Sequence, residues 1–87
     1  MIYLTCDDQP DVIDYEVDLD GNITVEPAVD GAAGMFHLWM DVTDVAVGKH
    51  DVIIRARNMW GYSDATPPFS FTKVLPDIPV GITLQEV

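Results

Sequence analysis

The sequence predicts an all-β fold, a sandwich or small barrel of about seven short antiparallel strands. Three observations predict it. Apolar residues recur with a period of two rather than 3.6. The alternating runs are short and closely spaced. The segments between them are rich in Gly, Pro, Asp and Asn, which favour turns.

The elements follow in chain order. Ile2, Leu4 and Cys6 alternate with Tyr3 and Thr5 in a first strand. Ile13, Tyr15, Val17 and Leu19 alternate with Asp14, Glu16, Asp18 and Asp20, giving one apolar and one acidic face. Asp20-Gly21-Asn22 is turn chemistry, and Ile23-Thr24-Val25 begins a short strand that stops near Pro27. After the loop Asp30 to Gly34, Phe36, Leu38, Met40 and Val42 alternate with His37, Trp39 and Asp41. Gly48 marks a turn. Val52, Ile54 and Ala56 then alternate with Ile53, Arg55 and Arg57. Asn58-Met59-Trp60-Gly61 is a turn, and Phe69 to Thr72 is a further strand. Pro76 and Pro79 punctuate a linker before a last expected strand, Val80 to Val87. Asp44 to Val47 is too short for a helix, and no other stretch has helical periodicity.

Composition narrows the function. The 87 residues make one domain, with a main body over 1–74 and a Pro-punctuated tail over 75–87. Fifteen acids against four Lys and Arg give a formal charge of -11, which argues against nucleic acid and against anionic membrane surfaces. A hydrophobic content of 48% is too high for a disordered tail. Cys6 is the only cysteine, so no intramolecular disulfide forms, and it reads as a small apolar core residue. Met1 to Asp8 has no basic segment, so no signal peptide is expected and synthesis in the cytoplasm is the default. No run approaches the ~20 apolar residues of a membrane span.

The stretch Gly48 to Ser63 resembles the F strand and FG loop of fibronectin type III domains, above all in Arg57-Asn58-x-Trp60-Gly61-x-Ser63. Asp11 to Gly21 looks like the matching C strand, and Leu4 to Asp7 like the end of strand B. Similar short proteins with Asn-x-Trp-Gly-x-Ser occur among bacteriophage and prophage genes. The resemblance implies a fibronectin type III or immunoglobulin-like β-sandwich of about seven antiparallel strands, and the chain departs from the family at three places. Cys6 stands where the family usually has a core Trp. His50 stands where a Tyr usually bonds the E–F corner, and with Val45 and Val47 it keeps the spacing of that corner. Strand A is missing in front, and Pro79 to Leu84 looks like that strand displaced to the C-terminus.

A displaced strand A leaves the strand B edge near residues 1–6 open, and open edges invite pairing. The tail could return across its own domain or add to another copy. A return of roughly 20–30 Å exceeds the ~17 Å reach of Lys73 to Asp77, unless the tail runs parallel to its neighbour. Pairing within one chain costs no association entropy and is the first expectation. A homo-oligomer linked through Pro79 to Val87 is the alternative.

No catalytic constellation is visible, and no enzyme or cofactor is expected. His37 and His50 lie on different strands, with no Ser or Cys suggested beside either. Asp18, Asp20 and Asn22 are weak calcium candidates, and Asp7, Asp8 and Asp11 form a second cluster. Neither has EF-hand spacing, and the turn-forming reading is preferred. Glu16 and Asp18 are expected beside Arg55 and Arg57 across neighbouring strands. Trp39, Trp60 and Tyr62 form the candidate recognition surface. For Trp60, a cap folded over its own loop is weighed slightly above an exposed anchor. The leading expectation is a non-catalytic interaction module of phage or prophage type, virion-associated or accessory, that binds a protein or a surface glycan. Self-assembly through the tail comes second, and a calcium-dependent protein or small enzyme comes third.

Overall fold

In the computed structural model, which describes residues 1–86, ten strands form an all-β, sandwich-like fold. They are β1 (Tyr3–Thr5), β2 (Gln9–Pro10), β3 (Asp14–Leu19), β4 (Asn22–Pro27), β5 (Val29–Asp30), β6 (Met35–His37), β7 (Trp39–Asp41), β8 (Gly48–Asn58), β9 (Gly61–Tyr62) and β10 (Phe69–Lys73). One sheet has the order β4-β3-β8-β10, with β9 folded back on β8. Facing elements are the pair β1-β7 and the small sheet β2-β6-β5. All pairings are antiparallel.

The alternation in β3 and β8 decides which side faces inward. Tyr15, Val17 and Val52 are fully buried, and they share the core with Leu4, Leu38 and Val42 from the facing layer and Val12 from the segment before β3. Each fully buried Val or Leu contributes about 1.5–3 kcal/mol. The Tyr15 hydroxyl donates to Gln9 Oε1 at 3.1 Å, which satisfies its one polar atom. Burial pushes the Tyr15 phenol above its ordinary value of 10.0, so it stays a neutral donor. Ile13 falls outside this core. It lies just before β3 and is half exposed, and Val12 fills the interior instead.

On the outer face of the β3-β8 pair, Arg55 makes two bonds to Glu16 Oε1, at 3.1 and 2.7 Å. Arg57 grips both oxygens of Asp14. The guanidinium holds the Asp14 carboxyl below its ordinary range. The expected partner Asp18 is displaced from this set. Antiparallel register pairs Glu16 with Arg55 and Asp14 with Arg57, which leaves Asp18 opposite Ile53. The Glu16–Arg55 pair contributes about 0.2–1 kcal/mol, less than one buried Val. Burial therefore stabilises the spine, and the ion pairs select its register.

The expected strand Phe36 to Val42 is broken at Leu38 into β6 and β7. The register explains the break. Thr5 faces Trp39 and Gln9 faces Phe36, so Cys6, Asp7 and Asp8 oppose only His37 and Leu38. One extra residue makes a bulge. Side chains then replace the ladder. Cys6 Sγ accepts the Leu38 N–H at 3.4 Å, and Asp8 bonds His37 Nδ1 at 2.8 Å and the Ala32 N–H at 3.1 Å. Gly31 lies against that carboxylate, since a Cβ there would stand 2.2 Å from Asp8 Oδ1.

The β3-β4 hairpin turns through Asp20 and Gly21, both at positive φ (52° and 88°), as a two-residue turn of this hand requires. Asp20 also links the turn to a buried corner. His50 Nδ1 donates to Asp20 Oδ2 at 2.5 Å, and His50 Nε2 donates to the Ala46 carbonyl at 2.6 Å. Both partners are acceptors, so satisfying both requires the protonated ring. The Ala46 carbonyl, then Asp20, hold the imidazole above its ordinary value of 6.5. The Asp51 N–H, then His50, hold Asp20 below 3.8. His50 thus bonds back to the corner, the role that the resemblance implied.

The tail departs from expectation. Residues 80–86 form no strand, and Ile78, Val80, Ile82 and Leu84 are exposed. The tail does not supply a first strand to its own chain among the described residues. Val87, the end of the expected strand, lies outside them.

The corner sets a pH dependence. The raised His50 value gives a contribution that is complete below about 6.5 and is lost as pH rises through the folded value. The lowered Asp20 value gives one that is complete above 3.8 and is lost as pH falls through its folded value. The thermal midpoint of the native chain is expected to fall as pH rises above about 6.5, and His50→Gln to flatten that slope. Equal slopes in both proteins would contradict the corner.

Candidate recognition surface

The residues after Arg57 form a tight hairpin tip. Asn58 pairs with Gly61, which leaves Met59 and Trp60 as the two-residue loop. Asn58 Oδ1 accepts the Trp60 N–H at 2.8 Å, an Asx turn that fixes the loop backbone. Asn58 Nδ2 donates to Asp11 Oδ2 at 2.9 Å and ties the tip to the segment before β3. Gly61 has φ +132°. Ser63 Oγ accepts the Ala56 N–H at 2.9 Å, and the Ser63 N–H donates to the Ala56 carbonyl at 2.8 Å. Every polar member of Arg57-Asn58-x-Trp60-Gly61-x-Ser63 thus has an intramolecular task.

Trp60 does not. Its side chain projects into solvent at 94% exposure, and Met59 at 92%. The expectation of a cap over the loop is corrected. The two-residue turn carries Trp60 at the hairpin tip, and the Asx bond fixes the backbone beneath it. Trp60 forms one wall of an open groove of about 340 Å³. Gln9, Asp11, Arg57, Asn58, Tyr62 and Ser63 supply the rest of its polar and aromatic lining. Arg55 lies 4.3 Å over the Tyr62 ring, a cation–π contact that orients the phenol.

Trp39 belongs to a different surface. It stacks on Tyr3 across the β1-β7 pair, with ring centroids 4.6 Å apart, and meets His37 edge-on at 5.9 Å. It is half exposed on the outer face, as its phase predicts. The structure brings Trp60 and Tyr62 together and leaves Trp39 apart. Sequence reasoning missed Gln9 and Asp11. Asn58 carried a legible turn signal, but their place beside it comes from topology alone.

The calcium candidates are occupied otherwise. Asp18 Oδ1 accepts the Gly21 N–H at 2.9 Å. Asp20 holds His50 and the Asp51 N–H, the latter at 2.9 Å, and Asn22 pairs with Leu19 at the hairpin end. Among the described residues no group of three or more His, Cys, Asp or Glu is placed to hold a metal ion. The cations are also engaged. Arg55 and Arg57 are paired, and Lys73 Nζ donates to the Thr43 and Val45 carbonyls at 3.0 Å each. Comparison of the chain with family models, curated proteins and solved structures finds no match.

Trp39→Phe leaves Trp60 as the single indole. Its emission is expected at the red, water-exposed limit, with full access to acrylamide. A blue-shifted, quencher-resistant signal would restore the cap.

Proposed function

We propose that this chain is a non-catalytic interaction module that contacts a protein or a surface glycan through the loop pole built on Trp60 and Tyr62. One observation carries the reading. In a motif whose polar residues all hold the hairpin together, Trp60 is the large side chain left without an internal role. An exposed indole on a tied-down turn beside a polar groove suits a recognition anchor. It offers a broad apolar face, and Gln9 and Asp11 line the groove beside it.

A fibronectin type III-like, phage- or prophage-associated identity is part of this proposal. It is supported by the sheet order β4-β3-β8-β10 facing β1-β7, and by the His50 bond at the corner. The non-catalytic reading is supported by His50, whose two ring nitrogens serve Asp20 and Ala46 and leave neither free for a substrate.

A combined glycan and protein array tests the proposal. The native chain is expected to retain ligands, and Trp60→Ala to weaken them by at least about tenfold. The thermal midpoint should change little, because the indole packs on nothing. Retention that is indifferent to Trp60→Ala, or no retained ligand, would overturn it.

A further inference from the structure

β1 pairs only with β7, and its other edge is open. The Ile2 carbonyl accepts the Val42 N–H at 2.9 Å, so the backbone of Ile2 faces β7. Alternation then turns the N–H and C=O groups of Tyr3 and Thr5 toward the open side. Among the described residues they meet no strand there. Directly below this edge the two layers part into a groove of about 480 Å³. Ile2, Leu4, Cys6, Ile54, Phe69 and Phe71 line it. An unpaired edge over an apolar groove is the shape left by a missing strand.

The chain carries a segment of matching chemistry. Ile78, Val80, Ile82 and Leu84 recur at the strand period, and each is 86–100% exposed. The tail projects from the body. The radius of gyration is 18.1 Å, against about 12 Å for a compact domain of this length, and the longest extent is 65 Å. Charge also marks the two partners. Residues 78–84 and 1–6 contain no charged side chain, in a chain with fifteen acids. Elsewhere two copies would meet through like charges, and here they would not.

The route within one chain is unfavourable. The tail leaves β10 at Val74, and Val74 and Lys73 lie beside Ile2 and Thr43. A tail returning from there runs parallel to β1. Antiparallel addition, the commoner arrangement, must start at the Cys6 end. The tail of a second copy has no such restriction.

We propose that residues 78–84 of one copy add as an antiparallel strand to the open edge of β1 in a second copy, with Val80, Ile82 and Leu84 seated in the groove. Reciprocal exchange closes a two-fold dimer, and one-way exchange builds a chain of copies. Pro79, which lacks an N–H, lies at the start of the added strand, where a missing donor is tolerated. The inference does not depend on what the Trp60 pole binds.

Light scattering after size exclusion, over a concentration series, tests it on the full chain. The native protein is expected to reach twice the chain mass or more. Val80→Asp/Ile82→Asp, which changes only exposed tail residues, is expected to stay monomeric with an unaltered fold. A labelled peptide of residues 75–87 should bind that variant, whose groove is intact, and be competed off by unlabelled peptide. A native chain that is monomeric throughout, a variant that assembles like the native chain, or a peptide that does not bind would each overturn the proposal.

Discussion

The antiparallel pairing of β3 with β8 is the constraint on which the rest of the molecule depends. It places Tyr15 and Val17 beside Val52 in the interior, and the same register lays Asp14 against Arg57 and Glu16 against Arg55 outside. A slip of one residue would bury the charged row and expose the apolar one. A slip of two would part both ion pairs. The candidate surfaces and the His50 corner hang from the two ends of β8. The Asn58 end presents Trp60 on a tied-down turn. The Gly48 end carries the His50 corner, and β10 beside it delivers the tail.

How much of this was legible in the sequence depends on the range of the interaction. Period two in residues 13–19 and 52–57 announced the spine, because alternation is a local consequence of the pleat. The Asp20-Gly21 turn and the Asn58 turn were legible for the same reason. The His50 corner was visible only through resemblance, since its partner Asp20 lies thirty residues away. The break at Leu38 was not legible. Alternation runs unbroken through it, and the cause is an extra residue in the opposing segment, Cys6 to Asp8. The Asp18–Arg assignment erred because two neighbouring acids and two neighbouring Arg look interchangeable until the register is known. At the candidate site, Trp60 and Tyr62 were readable as aromatic residues in a turn. Gln9 and Asp11 reach the same groove only through folding.

The tail shows where sequence pattern stops. Val80, Ile82 and Leu84 have strand periodicity, but periodicity identifies a segment that can pair and not its partner. In one chain the exit at Val74 lies beside the Ile2 end of β1 and favours only a parallel return. Small domains bury little surface and have thin margins. A sandwich with an open edge over an apolar groove is an unfinished layer, and covering it with a strand from another copy completes both layers at once. The acidity then has a clear role. It keeps most of the surface from associating and leaves the uncharged edge and tail as the places where copies can meet.

Residue-resolved amide hydrogen exchange at low and high protein concentration tests this account most directly. The amides of Glu16, Asp18, Ile53 and Arg55 should be the slowest at both concentrations, since alternation from the Asp20–Asp51 bond turns them across the β3-β8 pair. The Tyr3 and Thr5 amides should exchange freely in dilute protein and become protected, together with tail residues 80–84, as concentration rises. Protection of Tyr3 and Thr5 in dilute monomer, or exchange in the β3-β8 pair as fast as in the tail, would contradict it.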